Sequence, residues 1–176
     1  MVSRSTEVIY GHVNTPDDLR EINNKIRQEM ETVTSQEELT ELIQHAGVSY
    51  TRDLSAGLPL LQTDMGKFKS ILHHVLSNAF KFTPEGSVTV TGHPQAGGIL
   101  LCVTDTGIGI PSEKLTAVFF PFVQGDSSDT RRYSGAGLGL HLVQQFLQLL
   151  GGTVAVESTV GQGSRFSLWI PVHLPL

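Results

Sequence analysis

The sequence predicts an α+β fold: a two-layer sandwich, with a mixed, mainly antiparallel sheet covered on one face by helices. Two observations predict it. Helix-period stretches and short strand-like stretches follow one another in the order helix, strand, strand, loop, helix, strand, strand. No βαβ unit repeats along that order, so a doubly wound parallel sheet is not expected and helices layered on one sheet face are.

The elements follow from local chemistry. Residues 17–34 are polar, with Leu19, Ile22, Ile26, Met30 and Val33 at three- and four-residue spacing. That narrow seam suits a helical arm or a contact with a second copy better than a core helix. Residues 1–34 are therefore expected to be an N-terminal helical arm or linker, and 35–176 the main domain. Ser35 and Glu38 form a capping box that starts a helix carrying Leu39, Leu42, Ile43 and Ala46 inward until Gly47. The stretch 48–63 is expected to be irregular or a short strand, broken by Gly57 and Pro59. A longer helix covers 64–82 and stops at Thr83-Pro84-Glu85-Gly86, because proline cannot continue the hydrogen-bond ladder. Residues 87–91 alternate as a strand does, and 99–104 reads as a buried strand. With a turn over 94–98, the two make a hairpin. Residues 107–137 are rich in glycine, serine and proline, and a loop of that length is usually functional. A helix over 138–150 ends at Gly151-Gly152, and strands over 153–157 and 165–170 close the order.

Composition excludes several classes. The 176 residues are 39% hydrophobic and 16% charged, as in a globular core, and the formal charge of −5 argues against general nucleic-acid binding. The single cysteine, Cys102, lies in an apolar run, so neither a disulfide framework nor a cysteine metal site is expected. That usage suits a reducing cytosol. No apolar stretch is long enough to span a bilayer, and no signal-peptide core stands at the N-terminus. No contact of this chain with nucleic acid or membrane is expected, and the location is expected to be cytoplasmic, on a protein whose full length could be membrane-anchored.

Four short segments carry chemistry. On the 64–82 helix, Ile71, Leu72, Val75, Leu76 and Ala79 share a core face, while His74, Asn78 and Lys81 share another at i, i+4 and i+7. Asn78 offers a neutral oxygen to a hard cation such as Mg²⁺, and Lys81 can meet phosphate charge. The plainer reading of that stripe is a solvated polar face. Asp105-Thr106-Gly107-Ile108-Gly109-Ile110 follows a strand, where the Asp can accept from an exocyclic amine and the glycines let backbone approach a flat ring. Gly135-Ala136-Gly137-Leu138-Gly139-Leu140 runs into a helix, whose first N–H groups suit phosphate. It is not a Walker A loop, because the Gly-Lys-Ser/Thr ending is missing, and no strand precedes it as a dinucleotide fingerprint requires. The fourth segment is the turn Gly161-Gln162-Gly163-Ser164.

Taken together, these segments resemble the boxes of sensor histidine kinases. Asn78-Ala79-Phe80-Lys81-Phe82-Thr83 is similar to the N box, and 105–110 to the first glycine box. Phe119-Phe120-Pro121-Phe122 resembles the F box, 135–140 the second glycine box and 161–164 the last. All five occur in the family's order, across roughly residues 39–172. The resemblance implies the Bergerat fold, shared with gyrase-type ATPases, and the cofactors ATP and Mg²⁺. Position by position it implies that Asp105 binds the adenine amine, Ser164 supports it through water and Phe82 lies near the ring. It also implies Gly107, Gly109 and Ile110 against the nucleotide, and Asn78 on Mg²⁺. Lys81 and the backbone of Gly135, Gly137, Leu138, Gly139 and Leu140 would meet phosphate. Residues 111–137 would form a mobile lid anchored by Phe119 and Phe122 that orders on nucleotide, with Arg131 or Arg132 reaching the γ-phosphate.

Two departures qualify the match. His74 stands where the family usually has another Asn, and imidazole is a poor Mg²⁺ ligand, so His74 would instead donate to phosphate or to a metal-bound water. His12-Val13-Asn14-Thr15-Pro16 resembles the phosphoacceptor box, but Val13 replaces its acidic residue. The chain from there to the N box is also short for two long helices. The expected activity is thus a histidine protein kinase fragment without its own phosphoacceptor. Its partners would be a histidine-bearing dimerisation domain and a response regulator. The alternatives are a catalytically weak nucleotide-sensing module and, last, an ATP hydrolase. A hydrolase would need a carboxylate base where His74 stands.

Overall fold

The computed structural model describes residues 47–59, 61–123 and 137–174. The expected arm over 1–34, the capping box of Ser35 and Glu38, and the helix they begin lie outside the described residues.

The described order is β1 (Val48–Leu54), α1 (Met65–Lys81), β2 (Gly86–Gln95), β3 (Gly98–Asp105), a 3₁₀ turn (Ser112–Lys114), α2 (Gly139–Leu149), β4 (Thr153–Thr159) and β5 (Gly163–Pro171). The five strands form one sheet in the order β1-β2-β3-β5-β4. Only β1 and β2 pair in parallel, which α1 makes possible as the crossover between them; the other three pairs are antiparallel. The mixed, mainly antiparallel sheet with helices on one side is the architecture the sequence predicts.

The helix α1 starts where Asp64 caps it: Oδ1 accepts the backbone N–H of Lys67 at 3.0 Å. The Lys67 ammonium also pairs with that carboxylate, and its hydrogen bond is the main reason the Asp64 carboxyl is held below its ordinary range. One face buries Phe68, Ile71, Leu72, Val75, Leu76, Ala79 and Phe80. Complete burial is worth about 1.5–3 kcal/mol for each large apolar side chain among them. The helix ends as the Phe82 N–H reaches Asn78 O at 3.0 Å and the Thr83 hydroxyl donates to Ala79 O at 2.7 Å, just before Pro84.

The sheet meets that face with alternate residues: Val88 and Val90 from β2, Ile99, Leu101 and Val103 from β3, and Phe166, Leu168 and Ile170 from β5. From α2, Val143 and Leu147 complete the core. Gly92 keeps that face close-packed: a Cβ would lie within 2.8 Å of the terminal methyls of both Leu54 and Leu101, which would have to shift. The opposite sheet face carries small polar pairs such as Thr51 with Thr89 at 3.0 Å.

Boundaries depart from expectation where pairing, not pattern, sets them. In the stretch expected to be irregular or a short strand, a seven-residue strand forms, β1, because its partner β2 supplies the ladder from Val48↔Gly86 to Leu54↔Gly92. The hairpin turn narrows to Ala96 and Gly97, since pairing runs on through Pro94↔Ile99 to Gln95↔Gly98. Likewise β5 begins at Gly163, two residues early, where it pairs with the end of β4.

Candidate functional site

The last residue of β3, Asp105, is only 5% exposed. Its Oδ1 accepts the N–H of Gly107 at 2.9 Å and of Ser164 at 3.2 Å. Burial pushes its carboxyl above the ordinary carboxylate value, while the bonds from Gly107, Ser164 and the Thr83 hydroxyl pull the other way. Thr83 is fully buried at the end of α1, where its hydroxyl donates to Ala79 O, and its side chain lies beside the Asp105 carboxyl at the end of β3. It was legible in the sequence only as the last letter of the N-box pattern.

A second set of bonds fixes the surrounding turns. The Ile110 N–H donates to Ser158 Oγ at 2.7 Å, and Ser158 Oγ donates to Gly163 O at 2.8 Å. One hydroxyl proton serves one acceptor well, so the 3.0 Å contact between Ser158 and Ser164 has Ser164 as donor. Ser158 therefore ties the 105–110 loop to the turn before β5. The expected site omitted it, because a serine on an alternating strand carries no signal until its neighbours are placed.

Close backbone approach explains the glycines here. A Cβ at Gly107 would sit 2.1 Å from Phe82 O, the atom that accepts the Ile108 N–H at 3.0 Å. At Gly109 it would sit 2.2 Å from Thr159 O. The loop is thus threaded between the end of α1 and the β4–β5 turn, with an open hollow beside it lined by Pro84, Glu85, Thr106, Gly107 and Ile108.

On α1, His74, Asn78, Lys81 and Phe82 are all half-buried, and the Lys81 ammonium lies 5.4 Å from the centroid of the Phe82 ring. His74 faces the start of α2: a Cβ at Gly139 would lie 3.4 Å from its Nδ1. The His73 and His74 rings stand edge to face at 5.7 Å. The two polar-stripe ends therefore meet different parts of the fold, Lys81 near Phe82 and His74 near Gly139.

The N-terminus of α2 differs from that of α1. Leu138 at its N-cap gives no side-chain hydrogen bond, where Asp64 caps α1. Gly137, Leu138, Gly139 and Leu140 are half-buried there. Backbone N–H groups at such an end can take an anion. Gly137, at φ 67°, lets its carbonyl accept the Phe122 N–H at 3.1 Å.

Two expectations for the lid anchors separate. Phe119 is buried, but the Phe122 side chain is 74% exposed and its backbone sits at φ 63°. The expectation that Phe122 anchors by burying its ring is corrected: the bond to Gly137 holds its backbone in a conformation that turns the ring outward. Arg131, Arg132 and Gly135 lie outside the described residues.

For a divalent cation the donors fit a particular arrangement. Among the described residues no three His, Cys, Asp or Glu side chains cluster as a metal cage. The Asn78 amide oxygen is a hard neutral donor, which suits Mg²⁺ held by one protein ligand and completed by phosphate oxygens and water. Among the described residues no helix is long and apolar enough to cross a membrane.

Comparison with known proteins agrees with this geometry. Residues 63–174 match the family model described as histidine kinase-, DNA gyrase B-, and HSP90-like ATPase. The chain is 43% identical over 119 residues to the circadian input-output histidine kinase CikA of Synechococcus elongatus, covering 67% of this chain and 16% of that protein. It is 40% identical over 136 residues to the autoinducer 2 sensor kinase/phosphatase LuxQ of Vibrio vulnificus, covering 72% of this chain and 16% of the relative. The chain thus spans about a sixth of the length of each of these two relatives. Among solved structures, full-length ShkA in complex with AMPPNP superposes with a TM-score of 0.70 at 31% identity, over 85% of this chain and 30% of that one. The catalytic domain of the histidine kinase ThkA gives a TM-score of 0.70 at 21% identity, over 84% of this chain and 93% of that one, a likeness of fold.

Proposed function

Because the chain belongs to the histidine kinase-, DNA gyrase B-, and HSP90-like ATPase family, we propose that it binds Mg-ATP and passes the γ-phosphoryl group to a histidine on a separate dimerisation domain. The observation that carries this reading is the buried Asp105 carboxylate, oriented by two backbone N–H groups at a strand end. Those two bonds occupy Oδ1, so the carboxylate can offer its other oxygen to an exocyclic amine.

The remaining roles follow from position. Ser164, whose proton goes to Ser158, keeps its lone pairs for a water beside the adenine. Phe82 and Ile110 flank the ring, and the loop through Gly107 and Gly109 lies along it. Asn78 holds Mg²⁺, which when bound neutralises charge on the transferring phosphate. Lys81, the backbone of Gly135, Gly137, Leu138, Gly139 and Leu140, and Arg131 or Arg132 meet the phosphates. His74 donates to phosphate or to a metal-bound water. In the transfer, the bond from the γ-phosphorus to the bridging oxygen breaks, ADP leaves, and a bond forms to an imidazole nitrogen of the acceptor. The task of these residues is positioning and charge stabilisation. The phosphorylated histidine would then supply a response regulator.

Calorimetry of Mg-ATP binding tests the core of this. Asp105→Asn should weaken affinity about 10- to 100-fold, because an amide N–H then faces the adenine amine. Unchanged affinity in a folded variant sinks the adenine assignment.

One observation favours a second reading. His74 replaces the usual Asn beside the phosphate end, which suits a module that senses nucleotide and transfers phosphate weakly. Label transfer from γ-labelled ATP to an added dimerisation domain separates the two.

A further inference from the structure

Two hydrogen bonds join the segment 119–122 to the segment 137–141. One runs from the Phe122 N–H to Gly137 O at 3.1 Å. The other links His141 Nδ1 to Phe119 O, also at 3.1 Å. A carbonyl can only accept, so Nδ1 carries the proton and His141 is the donor. Phe119 is buried in the core, which makes its carbonyl a fixed point. The start of α2 is not fixed in itself. Gly137 precedes its N-cap Leu138, Gly139 is its first residue, and no side chain caps it. Glycine allows backbone freedom there, and the His141 side chain, in the first turn, bonds that turn to the core.

We propose that His141 is a positioning residue for the nucleotide: its Nδ1–H bond to the Phe119 carbonyl holds the first turn of α2 so that the backbone N–H groups there face the phosphates. His141 itself touches no phosphate in this role. The inference rests on the nucleotide reading above. It adds a residue whose loss acts on the phosphate end of the ligand and not on the adenine end, which Asp105 holds.

The test compares the full chain with His141→Leu and His141→Asn, measuring affinity for Mg-ATP and for adenosine by calorimetry. Leu keeps bulk without a donor. Asn places its Nδ2 the same number of bonds from the backbone as Nδ1 of His. H141L should bind Mg-ATP about tenfold more weakly, with adenosine affinity kept within about twofold, and H141N should stay within about threefold of wild type for both. Equal Mg-ATP affinity in H141L overturns the proposal. So does an equal loss for both ligands, or an H141N variant as weak as H141L. Should H141L not fold, H141A is read the same way. A wild-type chain that binds neither ligand fails the nucleotide reading itself. A wild-type chain that binds both while H141L matches it fails only the role of His141.

Discussion

The backbone N–H of Ser164 donates to Oδ1 of Asp105 at 3.2 Å, across 59 residues of sequence. Gly107 donates to the same oxygen from two residues away. A local bond and a distant one therefore set the carboxylate's direction together, and it is oriented before any ligand arrives. Such preorganisation lowers the ordering cost of binding.

The pH dependence of that carboxylate is predicted from its surroundings. Burial raises the folded-state value of Asp105 above the ordinary 3.8. Its contribution to stability is then full below the unfolded value and is lost as pH rises through the raised folded value. On the proposed adenine role, nucleotide binding runs the opposite way: the ionised carboxylate is the better acceptor, so affinity should fall on acidification through the folded value. Thr83→Val removes a hydroxyl beside the carboxylate that lowers this value, and with it the bond to Ala79 O. The midpoint of Mg-ATP affinity against pH should move upward in T83V, with a stability loss of about 1–3 kcal/mol. A midpoint that does not move would separate Thr83 from Asp105.

Gly161 in the β4–β5 turn and Gly163 at the start of β5 should respond differently to alanine. Both have positive φ, 77° at Gly161 and 98° at Gly163. A Cβ at Gly161 meets nothing within 4 Å, whereas at Gly163 it lies 2.0 Å from Asp105 O. Gly161→Ala should cost about 1–2 kcal/mol, the left-handed strain alone. Gly163→Ala should cost about 4 kcal/mol or more, because β5 must move off the end of β3. Urea unfolding of both variants measures this, and equal losses would contradict the close approach.

Phe122 offers a substitution expected not to harm the fold. Its ring is 74% exposed and its φ is 63°, which a residue with a Cβ adopts at a cost of about 1–2 kcal/mol. Phe122→Gly should leave thermal stability unchanged or raise it by up to about 1 kcal/mol. A loss above about 1 kcal/mol would mean that the ring packs against something in solution.

Much of this was readable from residue order. The face of α1 from Phe68 to Phe80 follows from helical period alone, and Asp64 and Pro84 mark its ends. Asp105 with its glycines was visible as a motif. Ser158 and His141 were not, because each acts through a partner placed by tertiary pairing, Ile110 in one case and Phe119 in the other. The outward turn of Phe122 was also hidden. An aromatic residue reads as a burial signal, and nothing in its letter announces a left-handed backbone.

The placement of β5 between β3 and β4 has a consequence for the order in which the molecule assembles. The β2–β3 hairpin and α1 are local and can form within microseconds of refolding. The β3–β5 ladder must first close a loop that holds all of α2 and β4, and such distant pairing is the slow kind. Asp105 gains its Ser164 donor only in that event. A refolding chain therefore carries most of its helix and hairpin before it has a formed Asp105 site, and a ligand of that site acts on the rate of unfolding more than on the rate of folding.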